Sequence, residues 1–339
     1  MDIIKLPITE SSYFITECYH NLRLSIILSE QSRTPWYYSH FVNIMLKNPK
    51  QDCFPTIRLE DHLHVYSDIL HEKRLAYESQ DIIKEIKEQI VNNKYVIMYF
   101  NWKYINLSNY YNKTDMVHEA LIYGFNNELQ CFYLLAFEVN SKMYTSIKIS
   151  YEECRRQFAI ILNEELVNSR WFTYYGFPAS TIGIRSSYDY ELDKRAIFFA
   201  LERSPIKGCA SHPNGTALGY YVFESLAIYF EELALSERVL LPSEYPYWNI
   251  MMQKLADYNR LMMNRIQYLK GDYESKLLNV VHDAYQKELR YLTEIRLKSL
   301  AFQRVGTKQA LKEISKLYNN IYQVEKRAVP ILMEYLVSH

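Results

Sequence analysis

Apolar and polar positions follow two different rhythms along this chain, and the change between them divides it. In the first part, short apolar runs stand between helical patches. KYVIMYFNWKYI (94–105) is dense in β-branched and aromatic side chains and predicts a strand. VHEALIYGF (117–125) and LQCFYLLAFEV (129–139) predict two more strands. Asn126, Asn127 and Glu128 join them as a hairpin, because Asn tolerates the positive φ such turns need. MYTSIKISY (143–151) predicts a further strand. Residues 79–93 instead put Ile82, Ile83, Ile86 and Ile90 on one helical face and close on Asn.

From about residue 215 the period is helical almost throughout. Residues 217–235, 247–271, 273–302 and 307–336 repeat apolar positions at i, i+3 and i+4, and Pro330 is expected to start or kink the last turns. Between the two textures, SPIKGCASHPNGT (204–216) holds two prolines and two glycines. The expected class is therefore α+β, with an α+β region over 1–205 and a helical region over 206–339. No internal repeat or low-complexity tract interrupts either.

Composition narrows the function classes. The chain has 339 residues, 49% apolar, with 39 basic and 39 acidic residues, so it lacks the basic excess of a nucleic-acid binder. Glycines number only 8, and neither GxGxxG nor GxxxxGK[ST] occurs, which argues against nucleotide-dependent chemistry. No leader-like N-terminal run and no long apolar stretch is seen, so no membrane association and a cytoplasmic location are expected. The five cysteines (18, 53, 131, 154, 209) are scattered without a CxxC and read as free thiols.

His118-Glu119 looks like the first half of a zinc-peptidase helix, but that motif needs a second His four residues on, where Ile122 stands. His62, His64 and His71 lack a carboxylate or Cys at ligand spacing, and SHPNG (211–215) reads as a turn. No metal is expected.

A nucleophile fits better. Thr16 is a plausible N-cap for a helix whose apolar positions are Leu22, Ile26 and Ile27, which puts Cys18 in the first turn, where free amides favour a thiolate. A Cys at a helix start, facing a His delivered from a strand, is the geometry of papain-like enzymes, and His118 is the candidate. The competing reading makes Cys18 a small core residue and His118 a hydrogen-bonded histidine. Cys131 falls in an apolar strand, Cys154 on a charged helix, and Cys53 and Cys209 in loops.

CYHNLRLSIIL (18–28), YVIMYFNWKYINLSNYYNKTDMVHEALIYGFNNELQCFYLL (95–135) and, more loosely, ADYNRLMMNRIQYL (256–269) resemble the butirosin-biosynthesis BtrH N-terminal family. The order and spacing carry the resemblance, over most of residues 10–150. It implies a papain-like or C39-like fold and a cysteine-dependent acyltransferase that forms amides. An acyl or peptidyl chain would pass from the phosphopantetheine thioester of a carrier protein, through Cys18, to an amine or diamine, with His118 moving protons and no cofactor of the protein's own. Aromatic side chains could line an apolar acyl channel.

The family's Asp after the His would fall at Ala136, so Glu138, two residues on and on the same strand face, is the first candidate third member. Asn101, where relatives carry Asp, is the second, and Asp115 precedes the strand. Ser12 stands where papain-type enzymes keep an oxyanion Gln, leaving the Cys18 N–H and an unidentified side chain for that role. The helical region is expected to complete the acceptor pocket, dock an acidic carrier protein through basic stretches such as 154–158 or 259–270, or form a homodimer. A cysteine peptidase or amidase and a non-catalytic helical partner are the alternatives.

Overall fold

The computed structural model describes residues 2–11, 13–47, 54–59, 65–75, 81–162, 177–185, 191–207, 216–271 and 275–338. In chain order the elements begin with β1 (Ile3–Lys5), α1 (Cys18–Ile27), α2 (Thr34–Ser39), β2 (Met45–Lys47), β3 (Thr56–Arg58) and β4 (Leu70–Arg74). Next come α3 (Ile82–Val91), β5 (Tyr95–Asn101), β6 (Val117–Asn126), β7 (Cys131–Val139), β8 (Lys142–Ser150), α4 (Tyr151–Ile161) and β9 (Ala179–Ile184). The rest are α5 (Lys194–Lys207), β10 (Thr216–Leu218), α6 (Tyr221–Leu235), α7 (Tyr245–Lys270), α8 (Lys276–Val305) and α9 (Lys308–Ser338). The class is α+β.

Two compact units form, and neither is one continuous stretch. The first comprises 1–34 and 66–189, the second 35–65 and 190–339. The boundary expected at 205/206 falls inside α5, and residues 35–65 group with the C-terminal part.

In the first unit an antiparallel sheet runs β4-β9-β5-β6-β7-β8, with β1 pairing the far end of β6. The predicted strands are all present. β5 stops at Asn101, whose side chain accepts from the Lys103 N–H at 3.3 Å and turns the chain into a short 3-10 turn. Positive φ after β6 falls on Gln130 (49°), not on the Asn pair, because the Asn126 side chain accepts from the Leu129 N–H at 2.9 Å and is spent inside the turn. The next hairpin is tighter. Asn140 (φ 52°) and Ser141 (φ 60°) link Val139 to its partner Lys142, the two-residue turn with both central φ angles positive. Gly124 is required where β1 pairs with β6, since a Cβ there would run into the Ile4 carbonyl.

α1 is buried along nearly its whole length, including the polar His20, Asn21, Arg23 and Ser25. Asn21 Oδ1 accepts from the N–H groups of Tyr13 (2.8 Å) and Phe14 (3.3 Å), tying the entry segment to the helix. The N-cap is Glu17, one residue later than the expected Thr16, which makes Cys18 the first helical residue. Asp81 starts α3 by accepting from the Ile83 N–H at 3.1 Å, and Ile82, Ile83, Ile86 and Ile90 are buried as the pattern predicts.

In the second unit β10-β2-β3 form a small antiparallel sheet beside long helices. Ser275 caps α8 and Gly306 ends it in the left-handed region (φ 70°). α9 runs on through Pro330. Phe230, Trp248 and Tyr318 build the centre of this core, with Phe230 stacked on Tyr318 at 5.5 Å between ring centroids. Among the described residues, no helix is long and apolar enough to cross a membrane, and no three His, Cys, Asp or Glu side chains gather as a metal centre.

Candidate functional site

Cys18 opens α1 at the point where the helix meets β6, and only 5% of it is exposed. As the first helical residue it lies among backbone N–H groups that have no partner within the helix. Its thiol donates to the main-chain carbonyl of Glu119 at 3.9 Å. The Tyr144 hydroxyl from β8 stands within hydrogen-bonding reach of the sulfur and also donates to the Ile15 carbonyl at 3.4 Å.

Electrostatics hold the thiol protonated. Burial and the Glu119 carboxylate push its pKa well above the usual thiol range, against the smaller opposite pull of Arg23 and Tyr144. The thiolate expected from the helix start is therefore not the resting form: desolvation of an enclosed sulfur outweighs the helix-terminal amides.

His118 is the second residue of β6, one position before Glu119. Its Nδ1 accepts from the Glu119 N–H at 3.1 Å, and its ring stacks on Phe137 at 5.1 Å between centroids. Burial lowers the imidazole to about 4, so it is neutral at neutral pH. Cys18 and His118 thus share the Glu119 backbone as a common partner. The chain between them runs from the thiol to Tyr144, from Tyr144 to Phe137 (5.5 Å between centroids), and from Phe137 to His118.

Neither candidate third member meets the imidazole. Glu138 takes the hydrogen bond of the Tyr110 hydroxyl, and its carbonyl accepts from the Asn109 N–H at 3.1 Å. Glu138 has φ of 51°, which breaks the strand alternation that would have kept it on one face with Ala136. Asn101 is buried and fully committed. Its amide donates to Asp115 at 2.8 Å, while its Oδ1 accepts from the N–H groups of Lys103 and Met116. Asp115 in turn pairs with Lys103 at 3.0 Å. Asn101 is a clamp on the segment that delivers His118. Ser12, Cys53, His62, His64, Cys209 and the 211–215 turn lie outside the described residues. His71 is exposed on β4, and Cys131 and Cys154 are buried.

The main surprise is a buried ionic cluster beneath Cys18. Arg23 grips Glu72 in a two-pronged pair (Nε to Oε2 3.0 Å, Nη2 to Oε1 2.8 Å) and reaches Glu119 at 3.7 Å. Its Nη1 donates to the Tyr19 carbonyl at 2.9 Å, its guanidinium lies 3.7 Å over the Tyr19 ring, and Ser180 donates to Glu72 at 2.7 Å. Glu119 is the hub. Its N–H holds His118, its carbonyl holds Cys18 and its carboxylate faces Arg23. The sequence carried a signal for this cluster: a lone Arg inside LRLSII and a lone Glu inside VHEALI, opposite charges within apolar runs. Tyr144 had no such signal among 32 tyrosines.

The arrangement offers a protonated thiol, a neutral imidazole and, around the sulfur, a backbone amide and a phenol as hydrogen-bond donors. Such a set suits acyl exchange at sulfur. No protein-family model matches the chain, and none of the curated proteins searched matches it either.

Proposed function

We propose that the chain is a cysteine-dependent acyltransferase of papain-like or C39-like fold, akin to the BtrH N-terminal family, that makes an amide from a carrier-protein thioester. One observation carries the reading: Cys18 begins a buried helix and rests on Glu119, the neighbour of His118. Water exclusion at that sulfur, seen in its 5% exposure, favours transfer to an amine over hydrolysis.

In the first step His118, neutral at rest, swings from the Glu119 N–H and takes the thiol proton as sulfur attacks the thioester carbonyl. The Cys18 N–H and the Tyr144 hydroxyl bind the oxyanion. The carbonyl–sulfur bond to phosphopantetheine breaks, and His118 returns the proton to the departing thiol. In the second step an amine, in its neutral form, attacks the acyl–Cys18 thioester, His118 takes its proton, and the amide leaves as the proton passes back to Cys18. Thioester exchange is close to isoenergetic and aminolysis is downhill, so the sequence needs no nucleotide. The expected partners are an acyl or peptidyl carrier protein and an amine acceptor, in the cytoplasm, with homodimer formation one of the roles open to the helical region.

The test is intact-mass measurement after mixing with an acyl-carrier thioester. An adduct absent from Cys18→Ala and discharged by amine faster than by water supports the proposal. Rapid peptide cleavage without such an adduct sinks it in favour of a peptidase.

A further inference from the structure

A second polar cluster lies in the helical unit, separate from the chemistry above. Glu288 on α8 and Glu325 on α9 are 0% and 1% exposed, and their carboxyl groups face each other. None of the four carboxyl oxygens has a hydrogen-bond partner of regular geometry, although Asn259, Tyr258 and Tyr285 stand close around them. The Asn259 Oδ1 and the Tyr285 hydroxyl are likewise buried and unpartnered. Asn259 is anchored from its other end, its Nδ2 donating to the Tyr285 carbonyl at 3.0 Å, so the bare oxygen is held in place.

Among the described residues no Lys, Arg or His contacts either carboxyl group. Arg265, whose charge is felt at Tyr258, is spent on the Tyr38 and His40 carbonyls and the Met262 sulfur. Two like charges buried together are strongly unfavourable unless positive charge is supplied. Protons supply it in the bare cluster, where burial raises both carboxyl groups and the charge of Glu325 raises Glu288 further. A proton-sharing pair, however, leaves the Asn259 amide oxygen, which can only accept, without a donor.

The donor set is oxygen only: two carboxyl groups, an amide and a phenol. That is the preference of hard cations such as magnesium, manganese and calcium, and not of zinc or copper. We propose that Glu288 and Glu325, completed by the Asn259 Oδ1 and the Tyr285 hydroxyl, form a buried site for one hard divalent cation that ties α7, α8 and α9 together. Ion for proton, the exchange balances: a dication replaces the carboxyl protons, which leave to solvent. A groove of about 380 Å³ lies over the same two helices, lined by Ala284, one turn before Glu288, and Ala328, about one turn after Glu325.

The experiment titrates the full chain, stripped with chelator, with Mn²⁺, and follows the free-ion electron paramagnetic resonance signal. The expected result is loss of one ion's signal per chain at micromolar to sub-millimolar Mn²⁺, competition by Mg²⁺ or Ca²⁺, and a melting temperature raised by at least ~3 °C. E288Q/E325Q should lose this binding, and E325Q alone, retained in case the double variant does not fold, should weaken it at least tenfold. An undiminished free Mn²⁺ signal with the wild-type chain overturns the proposal, as does unchanged affinity in E325Q.

Discussion

The thiol of Cys18 donates to the main-chain carbonyl of Glu119, 3.9 Å away across the junction of α1 and β6. This contact fixes the sulfur on the backbone of the strand that carries His118, so strand register, more than any side-chain partner, sets their separation. It also places the sulfur beside the Glu119 carboxylate, which with burial keeps the thiol protonated.

Alkylation kinetics should show that protonation directly. The rate of Cys18 modification by iodoacetamide should rise with pH through a midpoint above the ordinary thiol value of about 8.5. Glu119→Gln removes a carboxylate that raises the thiol, so its midpoint should fall. A wild-type midpoint below 8, measured by mass spectrometry of the Cys18 peptide, contradicts the assignment.

Arg23 is enclosed between Glu72 and Glu119 and is 1% exposed. Truncating it to Ala leaves the buried Glu119 and the partly exposed Glu72 without their cation, and urea unfolding should report a loss of about 3 kcal/mol. Lys at this site cannot reproduce the two-pronged grip on Glu72 and should recover only part of the loss. A loss under about 1 kcal/mol means the cluster is not structural.

His118 titrates at about 4 in the folded chain, against about 6.5 when unfolded. Between those values the unfolded chain binds more protons, so stability rises with pH across the window and is lost as pH falls through it. For a half-buried ring the effect is roughly 1–3 kcal/mol. Denaturant unfolding at pH 4.5 and pH 7 should show a smaller difference in His118→Gln than in the wild type. Equal differences refute the lowered, neutral imidazole.

Glu138 and Asn101 can be separated by acylation rates. Because Glu138 is bonded to Tyr110, Glu138→Gln should change the rate of adduct formation by less than about threefold, whereas His118→Ala should cost ~10²–10⁴. Asn101→Ala should lie between them and lower stability by ~1–2 kcal/mol, since it frees Asp115 and the Met116 N–H. A hundredfold loss in Glu138→Gln restores it as the imidazole's partner.

Tyr144→Phe keeps the ring against Phe137 and deletes only the hydroxyl near the sulfur. Adduct formation should slow by ~10–10³, with Cys18 still open to alkylation. An unchanged rate removes Tyr144 from the oxyanion site.

The strands and the long helices were legible because their periods are strong: Ile82, Ile83, Ile86 and Ile90 point one way, and LQCFYLLAFEV has no other use than a buried strand. The helix start at Cys18 was legible to within one residue. The direction of Glu138 is not legible in the sequence, because alternation holds only while the backbone stays extended and a positive φ cannot be read from the letter Glu. The thiol's protonation is not legible either, because a helix start is local whereas the Glu119 charge arrives from 101 residues away. The return of 35–65 to the C-terminal unit left no trace in composition, since strand pairing over that distance depends on three short segments.

That return has a consequence for synthesis and for dissection. β2 lies between β3 and β10, so Lys47 waits for Thr216 before its sheet can close. About 170 residues separate them, a delay of roughly 10–30 s at ribosomal speeds, during which the strand has only β3 beside it. Cutting the chain after residue 189 would make that waiting state permanent. An isolated version of the cysteine-bearing unit therefore calls for removal of 35–65 as well as of everything after 189.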